Sequence, residues 1–402
     1  MLTGERTGTD GTGAGGAGRV LQLIREGQAV TRADLARRTG LARSTVAQRV
    51  DALIAHQLVY EAGGRASTGG RPPTVLAFNE RAGVVLAADL GATHSRLAVA
   101  DLAGEPLVEQ AYDLDIAAGP AAVLEWIQAR YESLLADAGR GPADVLGIGV
   151  GIPAPVASGR GEPVAPPIMP GWDGFSIPRW FAAHYDAPVL VDNDVNIMAL
   201  GEHWTHWRDV EHLLYVKVGT GIGCGIVADR HIHRGAQGAA GDIGHIRIAG
   251  HDDVVCRCGN VGCLEAVAGG RALAHRLTQA GLEAKTSRDV VGLVRAGEPL
   301  AIQIVRDAGR HLGEVLAGAV NFFNPGAVVV GGDIGDAHQQ LLAGVREVAI
   351  RRSLPMATRD LRMVPSQLGD RAGVVGAAIM VIEHVLDPDA IDRVVRTPVP
   401  LT

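Results

Sequence analysis

Aromatic residues and lysine are scarce in this chain. Aromatic side chains make up 4% of the 402 residues, and Lys217 and Lys285 are the only lysines among 37 basic residues. The hydrophobic residues, 47% of the chain, are therefore mainly alanine, valine, leucine and isoleucine. A chain of this length and composition can fill the cores of two or three domains.

Long apolar runs are also missing from the sequence. It contains no run of eighteen apolar residues and no basic N-terminal segment followed by an apolar stretch. These absences argue against a transmembrane helix and a secretory signal. The sequence therefore predicts a soluble, cytoplasmic protein with no membrane partner.

Charge is distributed unevenly along the chain. Between residues 17 and 75 nine arginines face four acidic residues, while the whole chain carries a net charge of -7. The N-terminal part is thus basic and the remainder is acidic. This arrangement is typical of a DNA-binding domain attached to a body that does not bind DNA.

Cysteine is rare, yet three of the four cysteines fall within eight residues. Cys256, Cys258 and Cys263 follow the pattern Cys-x-Cys-x4-Cys with glycines between them, and His245 lies upstream. Three thiolates and one imidazole are a ligand set for a closed, structural zinc site. The alternatives are a chance cluster of buried thiols and a disulfide, which the close spacing of Cys256 and Cys258 disfavours.

Residues 17–78 carry the pattern of a winged helix-turn-helix domain. Three short helical segments follow one another, the second capped by Thr31 and the third starting near Arg43 after a turn at Gly40. Two strand-like segments then flank a glycine-rich loop at 63–73 that resembles a wing. This mostly helical head is expected to bind double-stranded operator DNA. The alternative is a small helical packing module with a flexible loop.

The residues that would touch DNA follow from this pattern. On the third helix, the face opposite the apolar stripe offers arginine and glutamine for base edges and hydroxyl groups for phosphates. Two wing arginines would reach phosphate or the minor groove. The predicted DNA-binding residues are Arg43, Ser44, Thr45, Gln48, Arg65 and Arg71.

From residue 84 onward the pattern changes to α/β. A buried strand at 84–88 leads through a Gly/Thr turn into a second strand at 97–100, and the same unit recurs at 213–227. Two α/β lobes that each present a glycine hairpin to a cleft suit the binding of phosphate groups by backbone amides.

The order of these motifs resembles the ROK family (repressors, open reading frames and sugar kinases). The resemblance covers about residues 84–385 and rests on the glycines at 219–225 and 235, the segment 241–245, the cysteine cluster and Glu265. It implies a two-lobed actin-like ATPase fold, which is ribonuclease H-like, with a sugar site between the lobes. Together with the winged helix-turn-helix head, it implies a transcriptional regulator of the xylose-repressor type.

The resemblance also implies roles for single residues. Asp194 would be the general base toward a sugar hydroxyl, and Gly331-Gly332 the glycine turn on the adenosine side. His245 would both bind zinc and stand beside the sugar. The implied sugar-binding residues are Asn193, Asp194, Asp242, His245 and Glu265, and the implied phosphate-binding residues are Gly91, Thr93, Gly219, Thr220, Gly221 and Gly223. Taken without the resemblance, Asp192 and Asp194 are equally compatible with a solvated loop.

Three positions depart from the kinase pattern. Ala92 replaces the second glycine of the first phosphate turn, Cys224 stands where a glycine is common in the second, and Asp242 replaces the usual glutamate. A Cβ in either turn hinders close approach of the backbone to phosphate. Cys224 is expected to be a small buried hydrophobic residue, outside the metal cluster. ATP is therefore not expected as a cofactor, although Asp194 leaves residual sugar kinase activity open.

The sequence thus predicts a repressor of carbohydrate genes that responds to a sugar or phosphosugar and acts as a homodimer or a dimer of dimers. The alternatives are an ATP-dependent sugar kinase that retains a DNA-binding head, and a regulator controlled by a protein partner. The predicted divisions are a disordered tail at 1–16, the head at 17–78, a small lobe at 84–200, a large lobe with the zinc loop at 201–385, and a C-terminal segment at 386–402.

Overall fold

The computed structural model describes residues 16–64, 74–92, 94–157 and 159–396. Within these ranges no helix has the length and apolar character that crossing a membrane requires. Apart from Gly16, the predicted disordered tail lies outside the described residues. So do the wing arginines Arg65 and Arg71, and Thr93 of the first phosphate turn.

Three helices and a two-stranded antiparallel sheet form the N-terminal head. They are α1 (Ala17–Arg25), α2 (Arg32–Thr39), α3 (Arg43–Ala55), β1 (Val59–Gly64) and β2 (Thr74–Phe78). The Thr31 hydroxyl starts α2 by accepting a hydrogen bond from Asp34 N at 3.1 Å, and Gly40 ends it with a φ of 72°. The head therefore has the helix, turn, helix order that its sequence predicts.

A mixed five-stranded sheet forms the first lobe. Its elements are β3 (Val84–Leu90), β4 (His94–Ala100), β5 (Pro106–Asp113), α4 (Pro120–Asp137), β6 (Val145–Ile152), the short pair β7 (Val156–Ala157) and β8 (Glu162–Pro163), α5 (Ile177–Phe181) and β9 (Val189–Asn193). The strand order is β5-β4-β3-β6-β9, with β3 antiparallel to β4 and parallel to β6. All seven residues of β3 are buried, as expected for a strand covered on both faces.

The second lobe repeats this topology. Its strands are β10 (Leu213–Val218), β11 (Ile222–Ala228), β12 (His231–Ile232), β13 (Ala327–Gly331) and β14 (Arg362–Pro365). Their order is β12-β11-β10-β13-β14, again a hairpin followed by two parallel strands. The duplicated hairpin unit that the sequence predicts is therefore confirmed.

The remaining helices join and cover the two sheets. They are α6 (Asp194–His206), α7 (Leu264–Ala268), α8 (Gly270–Gln279), α9 (Ser287–Arg295), α10 (Pro299–Phe323), α11 (His338–Arg352), α12 (Pro355–Thr358), α13 (Ala372–Val385) and α14 (Pro388–Val394). The predicted division assigns α13 to the second lobe. The helix nevertheless shares a core with Val85 and Ala87 of β3, because its apolar face covers the first sheet.

The head packs directly against the rest of the protein. Leu21, Leu35 and Leu53 of the head belong to the same buried cluster as Ile379 of α13 and Ile391 of α14. Burial of apolar surface across this junction stabilises the head against the body.

A close backbone contact strengthens the same junction. Gly18 N donates a hydrogen bond to Asp392 Oδ1 at 2.9 Å. A Cβ at Gly18 would overlap the backbone of Pro388, so α1 and α14 approach each other at backbone distance.

Helices α6 and α13 also cross in backbone contact. A Cβ at Gly376 would overlap the carbonyl oxygen of Ile197, and a Cβ at Gly201 would overlap that of Ala372. Glycine at both positions permits a crossing that no larger residue allows. The two helices therefore form one rigid unit between the lobes.

We predict that Gly376→Ala destabilises the protein by about 1–3 kcal/mol or more, because the crossing must open to admit the methyl group. Gly318→Ala is the matched control, since Gly318 lies in a helix with nothing within 4 Å of its Cβ position. That substitution should stabilise by roughly 0.5–1 kcal/mol. Urea unfolding of both variants measures the difference, and equal stability of the two would contradict the packing described.

Candidate functional site

The candidate site lies where strand ends of the two sheets meet. Asp89 stands near the end of β3, Asp194 directly follows β9, Lys217 stands near the end of β10, and Asp333 follows β13. Carboxyl ends of parallel strands are the usual ligand-binding edge of α/β sheets. These four charged groups are far apart in the sequence, and the fold brings them close enough to interact electrostatically.

Asn193 and Asp194 turn the chain from β9 into α6. The Asn193 side chain caps the helix by accepting a hydrogen bond from Val195 N at 3.0 Å and donates from Nδ2 to Ala154 O at 3.1 Å. Asp194 is buried, and its Oδ2 accepts a hydrogen bond from Lys217 Nζ at 2.5 Å. This ion pair links the end of the first sheet to the second sheet.

Asp192, beside them, is held by the protein itself. Its Oδ2 pairs with Arg234 at 2.7 Å, and its Oδ1 accepts from Asn196 Nδ2 at 2.8 Å. The solvated-loop alternative for Asp192 and Asp194 is therefore wrong, because both carboxylates are buried and paired.

A side chain lies against Gly91 in the first predicted phosphate turn. A Cβ at Gly91 would meet the His94 ring at 2.7 Å, so the imidazole lies against Gly91 on the side where a side chain would stand. Burial lowers the pKa of His94, and the nearby Lys217 lowers it further. The ring beside Gly91 is therefore one that burial favours in its neutral form.

The second phosphate turn connects β10 to β11. Gly219 N donates to Gly221 O at 3.0 Å, and Gly219 O accepts from Gly270 N at 2.8 Å, so part of the turn's hydrogen-bonding capacity is used internally. Glu265 Oε2 lies 2.6 Å from the position of a Cβ on Gly221. The predicted sugar residue Glu265 and the predicted phosphate residue Gly221 thus lie side by side.

Cys224, after this turn, is buried in the core of the second lobe. Burial raises the pKa of its thiol to about 12. A thiol in that state is a small apolar residue, neither a nucleophile nor a ligand.

His245 and the three clustered cysteines do come together. Their ligand atoms all lie within 4.8 Å of one another, and the cysteines are free thiols. Cys258 Sγ lies 3.7 Å from Cys263 Sγ, and Cys256 Sγ lies 3.7 Å from His245 Nδ1. With Zn–S bonds of about 2.3 Å, two sulfurs of a tetrahedron are about 3.8 Å apart, whereas a disulfide needs about 2.05 Å. The donor types and their distances fit a tetrahedral zinc.

His245 and Glu265 connect this cluster to the cleft. His245 Nε2 lies 4.0 Å from Asp242 Oδ1, while its Nδ1 faces the cysteines. Glu265 Oε1 lies 3.8 Å from Cys256 Sγ on the other side. The predicted sugar residues Asp242, His245 and Glu265 therefore lie together beside the cysteine loop. A carboxylate near the second ring nitrogen is the usual way in which a metal-ligating histidine is oriented.

The glycine turn on the opposite side carries an acidic residue. Asp333 follows Gly331-Gly332, and its Oδ2 accepts a hydrogen bond from Ser287 Oγ at 2.6 Å. Arg288 stands 3.8 Å from its other oxygen. This turn therefore adds a negative charge on the side that the resemblance assigns to a nucleotide.

The described DNA-reading candidates lie on one helix of the head. Arg43, Ser44 and Gln48 are exposed on α3, and Thr45 is half-buried. Arg32 is engaged elsewhere, with Asp51 at 3.1 Å and Glu61 at 2.7 Å. The outer face of α3 is thus available to a ligand, while part of the head's positive charge is neutralised internally.

Sequence reasoning missed the partners of the site carboxylates. Lys217 and Arg234 both pair with aspartates that lie more than twenty residues away along the chain. The one sequence signal for Lys217 is that it is one of two lysines in a chain whose other basic residues are arginines.

Comparison with known proteins gives two family matches. The model of the ROK family matches residues 85–384, and that of the IclR helix-turn-helix domain matches residues 17–63. The xylose repressor of Caldicellulosiruptor bescii is 31% identical to this chain, over 91% of this chain and 95% of its own length.

Two solved structures differ in how much of the chain they match. A ROK family transcriptional regulator, a homologue of the E. coli MLC protein, has a TM-score of 0.80 at 29% identity and covers 95% of this chain and 98% of its own. The ROK family glucokinase of Streptomyces griseus, in complex with glucose and AMPPNP, has a TM-score of 0.64 at 27% identity. It covers 74% of this chain and 99% of its own.

The buried Asp89 carboxyl predicts a pH dependence of stability. Burial raises its pKa to about 7, although Lys217 opposes the effect. An unfolded aspartate ionises near pH 4, so between about pH 4 and 7 the folded protein keeps a proton that the unfolded chain loses, and stability falls as pH rises. Asp89→Asn should therefore stabilise more at pH 8 than at pH 5, by about 2–3 kcal/mol.

Denaturant unfolding at the two pH values measures this difference. Asp370→Asn is the control, because Asp370 faces Asp89 but its side chain is 79% exposed. The control should change stability equally at both pH values. An equal effect of Asp89→Asn at pH 5 and pH 8 would show that this carboxyl is not held protonated.

Proposed function

Because this chain belongs to the ROK family and its head matches an IclR-type helix-turn-helix domain, we propose that it is a transcriptional regulator that binds operator DNA and responds to a sugar. Its two lobes have the actin-like fold of the family's sugar kinases. In the specific form of the proposal, the protein represses carbohydrate genes and works as a homodimer or a dimer of dimers. The effector is a sugar or phosphosugar bound between the lobes.

The observation that carries this proposal is the extent of the structural match. The ROK regulator matches nearly the whole of this chain. Nearly all of the ROK glucokinase also finds a match, but about a quarter of this chain has no counterpart in it. The basic, exposed face of α3 lies in the head, which a kinase does not need. Two such heads in a dimer would meet half-sites one or more helical turns apart, so a change in their spacing would change operator affinity.

Helix α6, which carries the predicted sugar residue Asp194 at its start, contacts the head near its end, and this arrangement supports a response to sugar. Helix α6 begins at Asp194 and, three turns later, carries Trp204 against the head. The Arg25 guanidinium of α1 lies 5.6 Å from the centroid of the Trp204 ring. Glu383 of α13 lies in the electrostatic range of Arg25 and of Arg234, the partner of Asp192. A shift of α6 on sugar binding would therefore reach α1 without passing through a flexible linker.

Sugar phosphorylation is the second candidate function, since Asp194 occupies the position implied for the general base and the glucokinase shares the fold. Three contacts weigh against it. The His94 ring lies against Gly91 of the first turn, Asp333 at the opposite turn accepts a hydrogen bond from Ser287, and Lys217 pairs with Asp194. Regulation without phosphoryl transfer is the function we favour.

We further propose that the cysteine cluster holds a structural zinc. Burial raises the pKa of the Cys263 thiol to about 12, so a cation is needed to keep it as a thiolate at neutral pH. His245, Cys256, Cys258 and Cys263 would hold the ion and thereby fix the loop on which His245 and Glu265 sit. The four protein ligands would fill the coordination sphere of the metal and leave no position for a reacting water.

Metal analysis of the purified protein tests the zinc proposal. We expect about one zinc per chain, and its loss in Cys256→Ala. Cys224→Ala is the matched control, since it removes the one cysteine outside the cluster and should retain the metal. A metal-free protein, or equal metal content in the two variants, would contradict the proposal.

A titration of DNA binding tests the regulatory function. Genomic DNA captured by the full-length protein would supply the operator, and gel shifts would then be run with xylose, glucose and N-acetylglucosamine. We expect one sugar to change operator affinity by about five-fold or more, a coupling in the usual allosteric range. A protein that prefers no duplex sequence, or that responds to no sugar, would contradict the function proposed.

Trp204→Leu tests the coupling route. This variant should bind the operator and the sugar, yet show a reduced effect of sugar on operator affinity, because the ring beneath Arg25 is lost. Trp126→Leu is its matched control, since Trp126 lies 4.8 Å from the Arg130 guanidinium in a similar contact on α4. The control should leave the coupling unchanged.

A further inference from the structure

The ammonium group of Lys217 forms an ion pair with Asp194, the carboxylate on which phosphoryl transfer would depend. Lys217 Nζ lies 2.5 Å from Asp194 Oδ2, and Val195 N donates to Asp194 Oδ1 at 2.8 Å. Each carboxylate oxygen can accept two hydrogen bonds, so each has one acceptor position left. Asp194 can therefore still accept a hydrogen bond from a ligand hydroxyl.

The Lys217 side chain runs along the second phosphate turn. Its Cε is the nearest atom that a Cβ on Gly219 would meet, at 3.6 Å. The charged groups that face the ammonium are Asp194, Asp89 from β3 and Asp333 after β13, with His94 close by. The side-chain exposures of Lys217 and Asp194 are 20% and 7%, so solvent screens this pair only weakly.

Proton transfer to Asp194 is unfavourable in these surroundings. If the carboxylate took a proton from a sugar hydroxyl, the ammonium would lose its close counter-ion in a largely buried site. A general base is effective only when it can accept the proton as the reaction proceeds. The ion pair therefore preserves Asp194 as a hydrogen-bond acceptor and suppresses it as a base.

The charge balance of the surroundings also bears on the ligand. The carboxylates are Asp192, Asp194 and Asp333, beside the Asp89 carboxyl whose pKa burial raises to about 7, and the facing cations are Lys217, Arg234 and Arg288. Among these described groups, each cation already stands beside a carboxylate. A phosphate group on the ligand would thus meet carboxylates without a free cation, whereas neutral hydroxyl groups would find acceptors.

Resting on the proposed function, we propose that Lys217 is a specificity-determining residue: it makes the cleft a receptor for a neutral, unphosphorylated sugar that is bound and not phosphorylated. A compact ammonium suits this role better than the planar guanidinium that the chain uses elsewhere. Lysine at this position is notable in a chain with only two.

The scarcity of lysine makes the ion pair directly observable without any sugar. In protein labelled with ¹⁵N at lysine Nζ, Lys217 and Lys285 are the only possible side-chain ammonium signals. Lys285 is exposed, so its protons exchange with water, while those of Lys217 should be protected and visible at neutral pH. Asp194→Asn should abolish the signal, and Asp209→Asn, at an exposed position after α6, should retain it. A wild-type protein without a protected signal, or one that Asp194→Asn leaves unchanged, would overturn the inference whatever the protein binds.

Calorimetry tests the ligand class. We expect one of xylose, glucose or N-acetylglucosamine to bind. Glucose 6-phosphate and N-acetylglucosamine 6-phosphate should bind at least ten-fold more weakly than the favoured sugar. In a separate assay, incubation of the favoured sugar with Mg-ATP should give no phosphorylated product. Lys217→Met removes the counter-ion that stabilises the charged, hydrogen-bond-accepting form of the buried Asp194, so affinity for the favoured sugar should fall at least ten-fold. Lys285→Met, which removes the other lysine, should behave as the wild type.

The outcomes separate the two proposals. Tighter binding of a 6-phosphate than of its parent sugar, or wild-type sugar affinity in Lys217→Met, would overturn the role of Lys217 while leaving a sugar-responsive regulator in place. Binding of no sugar, with the protected ammonium signal present, would overturn the proposed function and the receptor role together.

Discussion

The crossing of α6 and α13 is the constraint on which the rest of the structure depends. Glycines at 201 and 376 let the two backbones touch, and no side chain separates them. Helix α6 carries Asp194 at its first turn, and α13 covers the first sheet and leads into α14 against the head. Closely packed interiors switch between discrete arrangements and do not deform continuously, so we expect α6 and α13 to move together as one rigid body. The start of α6, both sheets and the head are thereby held in one fixed arrangement.

Buried carboxylates fix this arrangement at its ends. Glu202 of α6 is fully buried and accepts hydrogen bonds from Ser366 Oγ, Gln367 N and Leu368 N at 2.8, 2.7 and 3.2 Å. Asp194, two turns earlier, pairs with Lys217 of the second sheet. A buried charge is tolerated only when it is well paired, so each of these contacts specifies one arrangement of α6 against the second lobe. Apolar contacts alone would leave the helix freer to slide.

Local patterns predicted much of the fold. The Thr31 cap, the Gly40 turn and the duplicated hairpins depend on neighbouring residues, and so they can be recognised in the sequence. The cysteine spacing predicted the cluster because three of its ligands lie on one short loop. The partners of Asp192 and Asp194 could not be found in this way, since Arg234 and Lys217 meet them only through tertiary packing. The contact between Arg25 and Trp204 joins residues of the head and the body, and no local pattern announces it. The roles of the single site residues remain predictions.

The shared core of head and body has a consequence that goes beyond the response to sugar. Leu21, Leu35 and Leu53 lie in the same cluster as Ile379 and Ile391, so the head cannot adjust its fit to DNA without a cost to the lobes. Thermodynamic reciprocity then requires that an occupied operator alter sugar affinity by the same factor by which sugar alters operator affinity. Operator-bound protein and free protein would accordingly have different sugar affinities, so at the same sugar concentration different fractions of the two would carry sugar.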